Sequence, residues 1–190
     1  MTSEEKILAA ATELMAAHGF KETTTKEIAV RAGVSEMTLF RHFGDKLTLL
    51  KAIVSQPLLE YPAEKSLWGK LTWELETDLL LLSQVQMQIN KLNEQSLLIK
   101  FREKERLKKL HINLRESSRG FHAFMVSYFD EMAAQGRICK TDNDKLADYF
   151  MSYNFGLYCD SLLRPNDDTE HSKEEEMKYD TACFAKGLRP

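Results

Sequence analysis

The sequence predicts an all-α protein with a small N-terminal head and a larger C-terminal body. Apolar side chains recur at helical spacing along most of the 190 residues, only 8 Gly and 4 Pro interrupt them, and no run alternates Val, Ile and Thr as a strand would. Hydrophobic residues make up 43% of the chain, which is enough to bury a sizeable core. We place the head at residues 1–56 and the helical body at residues 57–190.

Within the head, residues 24–43 predict a helix-turn-helix, which is two short helices joined by a tight turn. Gly33 can take the left-handed conformation that ends the first helix, and Ser35 can cap the second. This unit places its second helix in the major groove of DNA, although an ordinary helical hairpin inside an enzyme is the alternative. We expect the head helices at residues 4–17, 25–32 and 36–43, and a fourth after residue 45.

The segments on either side of this motif point to a family. The sequence ILAAATELMAAHGF precedes the motif at residues 7–20, and LFRHFGDKLTLL closes it at residues 39–50. From about residue 4 to residue 54, the chain closely resembles the DNA-binding head of the tetracycline-repressor-like (TetR) transcriptional regulators. It departs from the usual family pattern at Phe40, where Tyr is common, and at Leu47, where an acidic residue is common.

This resemblance implies that the second helix of the motif supplies the contacts to DNA. Arg41 can pair with guanine or bind phosphate, whereas Phe40 can instead pack between helices as a buried residue. The whole chain has a net charge of −3, so we expect a local basic face rather than a basic protein to contact the phosphates. The predicted DNA-binding residues are Thr25, Lys26, Ser35, Glu36, Met37, Thr38, Phe40, Arg41, His42 and Lys46.

The body is predicted to be helical throughout, joined to the head by a junction that contains two prolines. We expect that junction at residues 56–65, body helices at residues 67–90, 97–101, 104–135, 143–163 and 173–186, and a polar, acidic connector at residues 166–176. Ser117, Ser118 and Gly120 can break or bend the third of these helices.

The penultimate helix, residues 143–163, predicts a homodimer because it is apolar on nearly every side. A helix with two apolar faces has to be buried on both, and a second subunit can cover one of them. In the resembled family the last two helices of each subunit pair across a two-fold axis. We therefore expect two heads on a palindromic operator in double-stranded DNA. The alternative is that this helix is the central core element of a monomer.

Aromatic and Met side chains in the body predict a site for an unknown small-molecule effector that is apolar or flat. The candidate lining residues are Trp68, Met87, Phe101, Phe121, Phe124, Met125 and Phe129. These residues can equally be ordinary core, while the polar side chains that can orient a ligand, if buried, are Asn90, Asn93, His122 and Asn154. The function we infer is a ligand-released repressor; a DNA-binding regulator controlled by a partner or by its expression level is the alternative.

Several other classes of function find no support in the sequence. No motif of an enzyme, metal site or dinucleotide site is present, so we expect no catalysis, cofactor or metal. No apolar run reaches the ~18 residues that a membrane span needs, and the polar N-terminus does not fit a secretory signal. Cys139, Cys159 and Cys183 are widely spaced, which fits reduced thiols in the cytoplasm.

Overall fold

The computed structural model describes residues 1–56, 64–112, 118–163 and 170–190, and every regular element in these ranges is a helix, as expected. The helices are α1 Ser3–His18, α2 Thr25–Ala32, α3 Glu36–Phe43, α4 Lys46–Ser55, α5 Glu64–Trp68, α6 Leu75–Leu92, α7 Glu94–Arg102, α8 Lys104–Lys109, α9 Arg119–Ala134, α10 Asn143–Leu163 and α11 Glu170–Lys186. They fall into two compact units. The head unit contains α1 to α4 with α7 and α8, and the body unit contains α5, α6 and α9 to α11.

The head unit is organised around α1, which packs against α2, α3, α4 and α7. Thr2 and Glu5 form a capping box that satisfies two free N–H groups at the start of this helix. Its apolar face then recurs at a spacing of about four residues and enters the core. The buried core of the head unit includes Ile7, Ala11, Met15, Ile28, Ala29, Leu39, Leu49, Leu50, Ile53, Ile99 and Leu107.

Phe20, in the loop between α1 and α2, is held by α4. Lys46 Nζ donates hydrogen bonds of 2.7 Å to the carbonyl oxygens of Phe20 and Thr23. The same ammonium lies 4.4 Å from the centre of the Phe20 ring, which is a cation–π distance. Lys46 therefore fixes the loop that leads into the helix-turn-helix.

Phe20 is held from the other side by α8 and the residue that precedes it. The Phe20 N–H donates to Glu103 Oε1 at 3.1 Å, and the Arg106 guanidinium lies 4.3 Å from the ring centre while also pairing with Glu103. Arg102, at the end of α7, donates to the Ala16 carbonyl at 2.9 Å. We call Phe20, Lys46, Glu103 and Arg106 the Phe20 cluster. These contacts place α7 and α8 in the head unit, a grouping that a boundary at residue 56 did not anticipate.

In the body unit, the prediction of a single helix over residues 67–90 is wrong at its start, because α5 and α6 are separate helices. Asp78 is fully buried and accepts hydrogen bonds from the Thr72 N–H and hydroxyl and from the Trp73 N–H, at 2.8 to 2.9 Å. Trp73 has a φ of 64°, which no α-helix allows. Burial and the Asp78 carboxylate also raise the pKa of Tyr128, whose hydroxyl lies 3.4 Å from that carboxylate.

The helices expected over residues 25–32, 36–43 and 143–163 have the expected bounds, and the other expected helices differ in theirs. The one expected over residues 104–135 is interrupted, since α8 ends at Lys109, His111 has a φ of 53°, and α9 begins at Arg119. Both α7 and α11 begin three residues earlier than expected. Three of the sequence predictions concern residues outside the described ranges: most of the junction at 56–65, the first part of the connector at 166–176, and the position of Ser117.

The body core consists of aromatic rings contributed mainly by α9 and α10. Trp68 contacts Phe124 with ring centres 5.0 Å apart, and Tyr128 contacts Phe129 at 5.4 Å. The contacts continue from Phe129 through Phe150, at 6.3 Å, to Phe184 of α11, at 5.5 Å. A run of ring contacts therefore joins α5, α9, α10 and α11, while α6 packs against both α10 and α11.

We expect Lys46→Met to lower the free energy of unfolding by about 1–3 kcal/mol, because the Phe20 and Thr23 carbonyls lose a charged donor. The apolar stem is kept, so packing changes little. Lys51→Met, an exposed lysine on the same helix, is the matched control. Thermal unfolding followed by circular dichroism measures both variants, and equal midpoints for the two would contradict a structural role for Lys46.

A pH-dependent stabilisation is expected from Asp45, which caps α4 by accepting the Thr48 N–H at 2.6 Å. This bond lowers the Asp45 pKa below its ordinary value of 3.8, so the ionised cap stabilises the fold above that value and is lost as the pH falls through the lowered pKa. Asp45→Asn keeps a neutral cap. The wild type should melt above Asp45→Asn near pH 6, and the gap should close towards about pH 3. A gap that does not change with pH would be contrary to this expectation.

Candidate nucleic-acid interface

The turn between α2 and α3 has the geometry that the sequence predicts. Gly33 adopts the left-handed conformation, with φ 67° and ψ 35°, and its N–H donates to the Val30 carbonyl at 3.1 Å. The next N–H, of Val34, donates to the Ala29 carbonyl at 3.0 Å, which closes the end of α2. Ser35 then caps α3 through the Thr38 N–H at 3.1 Å. Each of the three residues between the two helices therefore takes part in ending α2 or in starting α3.

The outward face of α3 combines cationic and apolar side chains. Arg41 and His42 are exposed, while Leu39 and Phe43 point into the head core. Met37 is 81% exposed and Phe40 is 45% exposed, so Phe40 is not the buried packing residue that the alternative required. Two large apolar side chains next to an arginine and a histidine on an eight-residue helix form a surface suited to thymine methyl groups and phosphates.

Three of the residues expected to contact the DNA backbone lie at the N-termini of α2 and α3. The Thr25 hydroxyl donates to Glu36 Oε1, which links the first turns of the two helices. Lys26 is exposed beside Thr25, and Ser35 is exposed at the start of α3. Helix N-termini present free N–H groups and a partial positive charge, which favours phosphate.

Lys46, the fourth expected backbone contact, differs from the others. It is partly buried, and its ammonium already donates to loop carbonyls in the Phe20 cluster. The contact of Lys46 to phosphate stays a prediction. Replacing Lys46 would remove that contact and also lower the stability of the head, so a decrease in DNA binding would have two causes.

Two features of the head were not singled out in the sequence. Val30 is 74% exposed on α2, a position that an apolar residue has no folding reason to occupy. Arg31 pairs with Glu13 of α1, with Nε 3.0 Å from Oε2, which ties the helix-turn-helix to α1. Because this ion pair is exposed, its contribution to stability is small. Both features depend on which face of α2 points outward, and one short helix of mixed composition does not reveal that.

The residues proposed to line an effector site are not all in one place. Trp68 and Met87 are partly buried, and four residues of α9 are buried in the body core, namely Phe121, Phe124, Met125 and Phe129. Phe101 instead lies in the head unit on α7 and is 54% exposed. Of the four possible orienting side chains, Asn90, Asn93 and Asn154 are buried. His122 is partly buried, with its Nε2 3.5 Å from Asp148 Oδ1.

The described residues form neither a metal site nor a membrane span. No group of three or more His, Cys, Asp or Glu in those ranges is arranged to hold a metal ion. No described helix is long and apolar enough to cross a membrane. The three cysteines are free thiols, with Cys139 and Cys159 partly buried and Cys183 exposed.

Comparisons with known proteins agree with this geometry. The family model of bacterial regulatory proteins of the tetR family matches residues 7–53. An uncharacterised helix-turn-helix-type transcriptional regulator of Bacillus subtilis, YvkB, is 30% identical over 186 residues, which cover 98% of this chain and 97% of that protein. The matched region contains the whole helix-turn-helix and the Phe20 loop.

Solved structures match over nearly the whole chain. The flavonoid-responsive regulator FrrA has a TM-score of 0.71 at 24% identity, over 99% of this chain and 97% of that one. The ketosteroid transcriptional regulator KstR2 of Mycobacterium tuberculosis has a TM-score of 0.64 at 15% identity, over 100% and 96%.

These relatives confirm two sequence predictions, the fold and the interpretation as a regulator rather than an enzyme. The helix-turn-helix lies within the region that the family model matches. The chain belongs to the TetR family of bacterial transcriptional regulators.

Proposed function

We propose that the protein is a dimeric repressor that a small apolar or aromatic ligand releases from a palindromic operator. The observation that supports this most is the α3 face, where Met37 and Phe40 are exposed beside Arg41 and His42. Its place of action is the cytoplasm, where a bacterial chromosome lies.

The proposed DNA contacts follow from the positions of these side chains. Met37 and Thr38, in the first turn of α3, are placed to approach base edges, and Arg41 to pair with guanine or phosphate. Lys26 and the N-termini of α2 and α3 bind the phosphate backbone. Few cations of each head are proposed to reach the DNA, so one head alone binds weakly.

A second copy of the chain is proposed to cover the outer face of α10 and α11. Leu146, Phe150 and Tyr158 of α10 are buried in the body unit, whereas Tyr149 of the same helix is 68% exposed. On α11, Tyr179 is 71% exposed. Large apolar and aromatic side chains exposed on adjacent helices mark a protein interface more often than a solvated surface. A two-fold axis through this face gives two heads and hence a palindromic site.

The ligand is proposed to bind in the body unit, among the aromatic rings of α5, α9 and α10. The names of two structurally similar regulators refer to a flavonoid and to a ketosteroid. Both kinds of compound are flat and largely apolar. Such a ligand releases DNA only if it binds the DNA-incompetent form more tightly, and a coupling free energy of about 1–3 kcal/mol is sufficient.

Replacing Arg41 by Ala is expected to abolish specific operator binding, because an exposed cation on α3 is removed while the fold is kept. Lys26→Ala should instead weaken binding to every sequence alike and reduce the salt slope of the dimer by about two, because one side chain that binds a phosphate is removed from each of its two heads. Gel shifts over a range of salt concentrations measure both effects.

The matched control is Lys140→Ala, which removes one exposed cation from the body unit. It should leave both operator affinity and salt dependence unchanged. If Arg41→Ala retained specific binding, α3 would not be the helix that contacts the bases.

The dimer is tested by Tyr149→Glu combined with Tyr179→Glu, which puts charges on the proposed subunit interface. Sedimentation should show a dimer for the wild type at micromolar concentration and a monomer for the double variant, because burying unpaired charges is costly. Val30→Glu, on the exposed surface of the head, is the control and should stay dimeric. A monomeric wild type would refute the proposed dimer.

A further inference from the structure

Helix α6 has a row of buried polar side chains that the fold does not satisfy. Ser83 is 1% exposed, and Gln86 and Asn90 are each 4% exposed. At 100° per residue these three positions lie within about 60° of one another around the helix, and they span about 10 Å along it. Ser83 Oγ, Gln86 Oε1 and Asn90 Nδ2 have no hydrogen-bond partner among the residues that the structure describes. We call this row the α6 polar row.

Several buried or part-buried polar side chains on other described helices have local partners, although Asn143 Oδ1, at the start of α10, also lacks one. The hydroxyls of Thr12 and Thr181 donate to the carbonyls four residues earlier, at 2.8 Å in each case. Asn154 Nδ2 likewise donates to the Phe150 carbonyl at 2.9 Å. Ser83 Oγ makes no such bond within the described part of the chain.

The orientation of Gln86 is fixed by its one hydrogen bond. Its Nε2 donates to the Met151 carbonyl of α10 at 2.8 Å, and a carbonyl oxygen can only accept. The unpaired atom is therefore the acceptor Oε1, whereas the unpaired atom of Asn90 is the donor Nδ2. A buried donor or acceptor without a partner destabilises a fold, so such atoms are normally paired with protein, water or a ligand.

We propose that the α6 polar row is the hydrogen-bonding side of the effector site. This inference rests on the proposed ligand-released repressor and specifies its ligand. The effector has a hydroxyl or N–H group for Gln86 Oε1 and an oxygen acceptor for Asn90 Nδ2, placed along one edge of a mostly apolar molecule. All three side chains of the row are uncharged, so the part of the ligand that touches them is uncharged too.

The first experiment needs no ligand. Asn90→Leu and Ser83→Ala remove unsatisfied polar atoms, so each should raise the unfolding midpoint of the full-length protein by about 2–4 °C while operator binding is kept. Gln84→Leu, an exposed position on the same helix, is the matched control and should not raise it. Lower midpoints for both row variants would overturn the proposal, since the row would then be satisfied by ordered water or by packing.

The second experiment uses a matched pair of probes in calorimetric titrations. 2,7-Dihydroxynaphthalene has both hydroxyls on one edge, whereas 2,7-dimethylnaphthalene has a similar shape and no hydrogen-bonding group. The diol should bind the wild type at least about tenfold more tightly than the dimethyl probe, and Asn90→Leu should remove most of that difference. Equal affinities for the two probes, or no binding of either, would contradict the proposal.

Gel shifts with the diol separate this inference from the proposed function. If the diol binds through the row but leaves the operator complex intact, ligand-released repression fails and the row assignment stands. If a ligand releases DNA from the wild type and from Asn90→Leu alike, repression stands and the row assignment fails.

Discussion

The DNA-binding head depends on how the loop around Phe20 is held. Its ring lies between the Lys46 ammonium and the Arg106 guanidinium, at 4.4 and 4.3 Å, and its N–H is bound by Glu103. Hydrogen bonds to charged groups contribute more than neutral ones, about 1.5–3 kcal/mol each. The position of the helix-turn-helix is thus fixed partly by residues about 80 positions further along the chain, which explains why α7 and α8 belong to the head unit.

Whether a feature could be predicted from the sequence depended on how far apart along the chain its interacting residues lie. The helix-turn-helix was predictable because Gly33 and Ser35 act on their near neighbours, through a left-handed turn and an N-terminal cap. The break before α6 could not be predicted from near neighbours alone, because the buried Asp78 carboxylate also contacts the hydroxyl of Tyr128, 50 residues away. The site residues divide in the same way. Exposed Arg41 follows from its place in the motif, whereas Lys46 is occupied by loop carbonyls that only the fold brings near.

The surfaces of the two units support one mechanism. The head exposes apolar and cationic side chains on α3, and the body exposes aromatic side chains on α10 and α11. DNA covers the first surface in the proposed complex, and a second subunit covers the second. The α6 polar row is the third feature that a binding partner can complete. It is buried in the body unit, where the aromatic rings also lie. A ligand that completes the row gains hydrogen bonds, and it releases DNA when those bonds are stronger in the DNA-incompetent form than in the DNA-competent form.

The most direct measurement is a selection of genomic fragments by the purified full-length protein, with the recovered DNA then tested by gel shift over a range of salt concentrations. We expect a short palindrome, with half-sites about one helical turn or somewhat more apart. Recovery of no common sequence, with binding that depends only on salt, would contradict it, because the α3 face would then contact phosphates without contacting the bases.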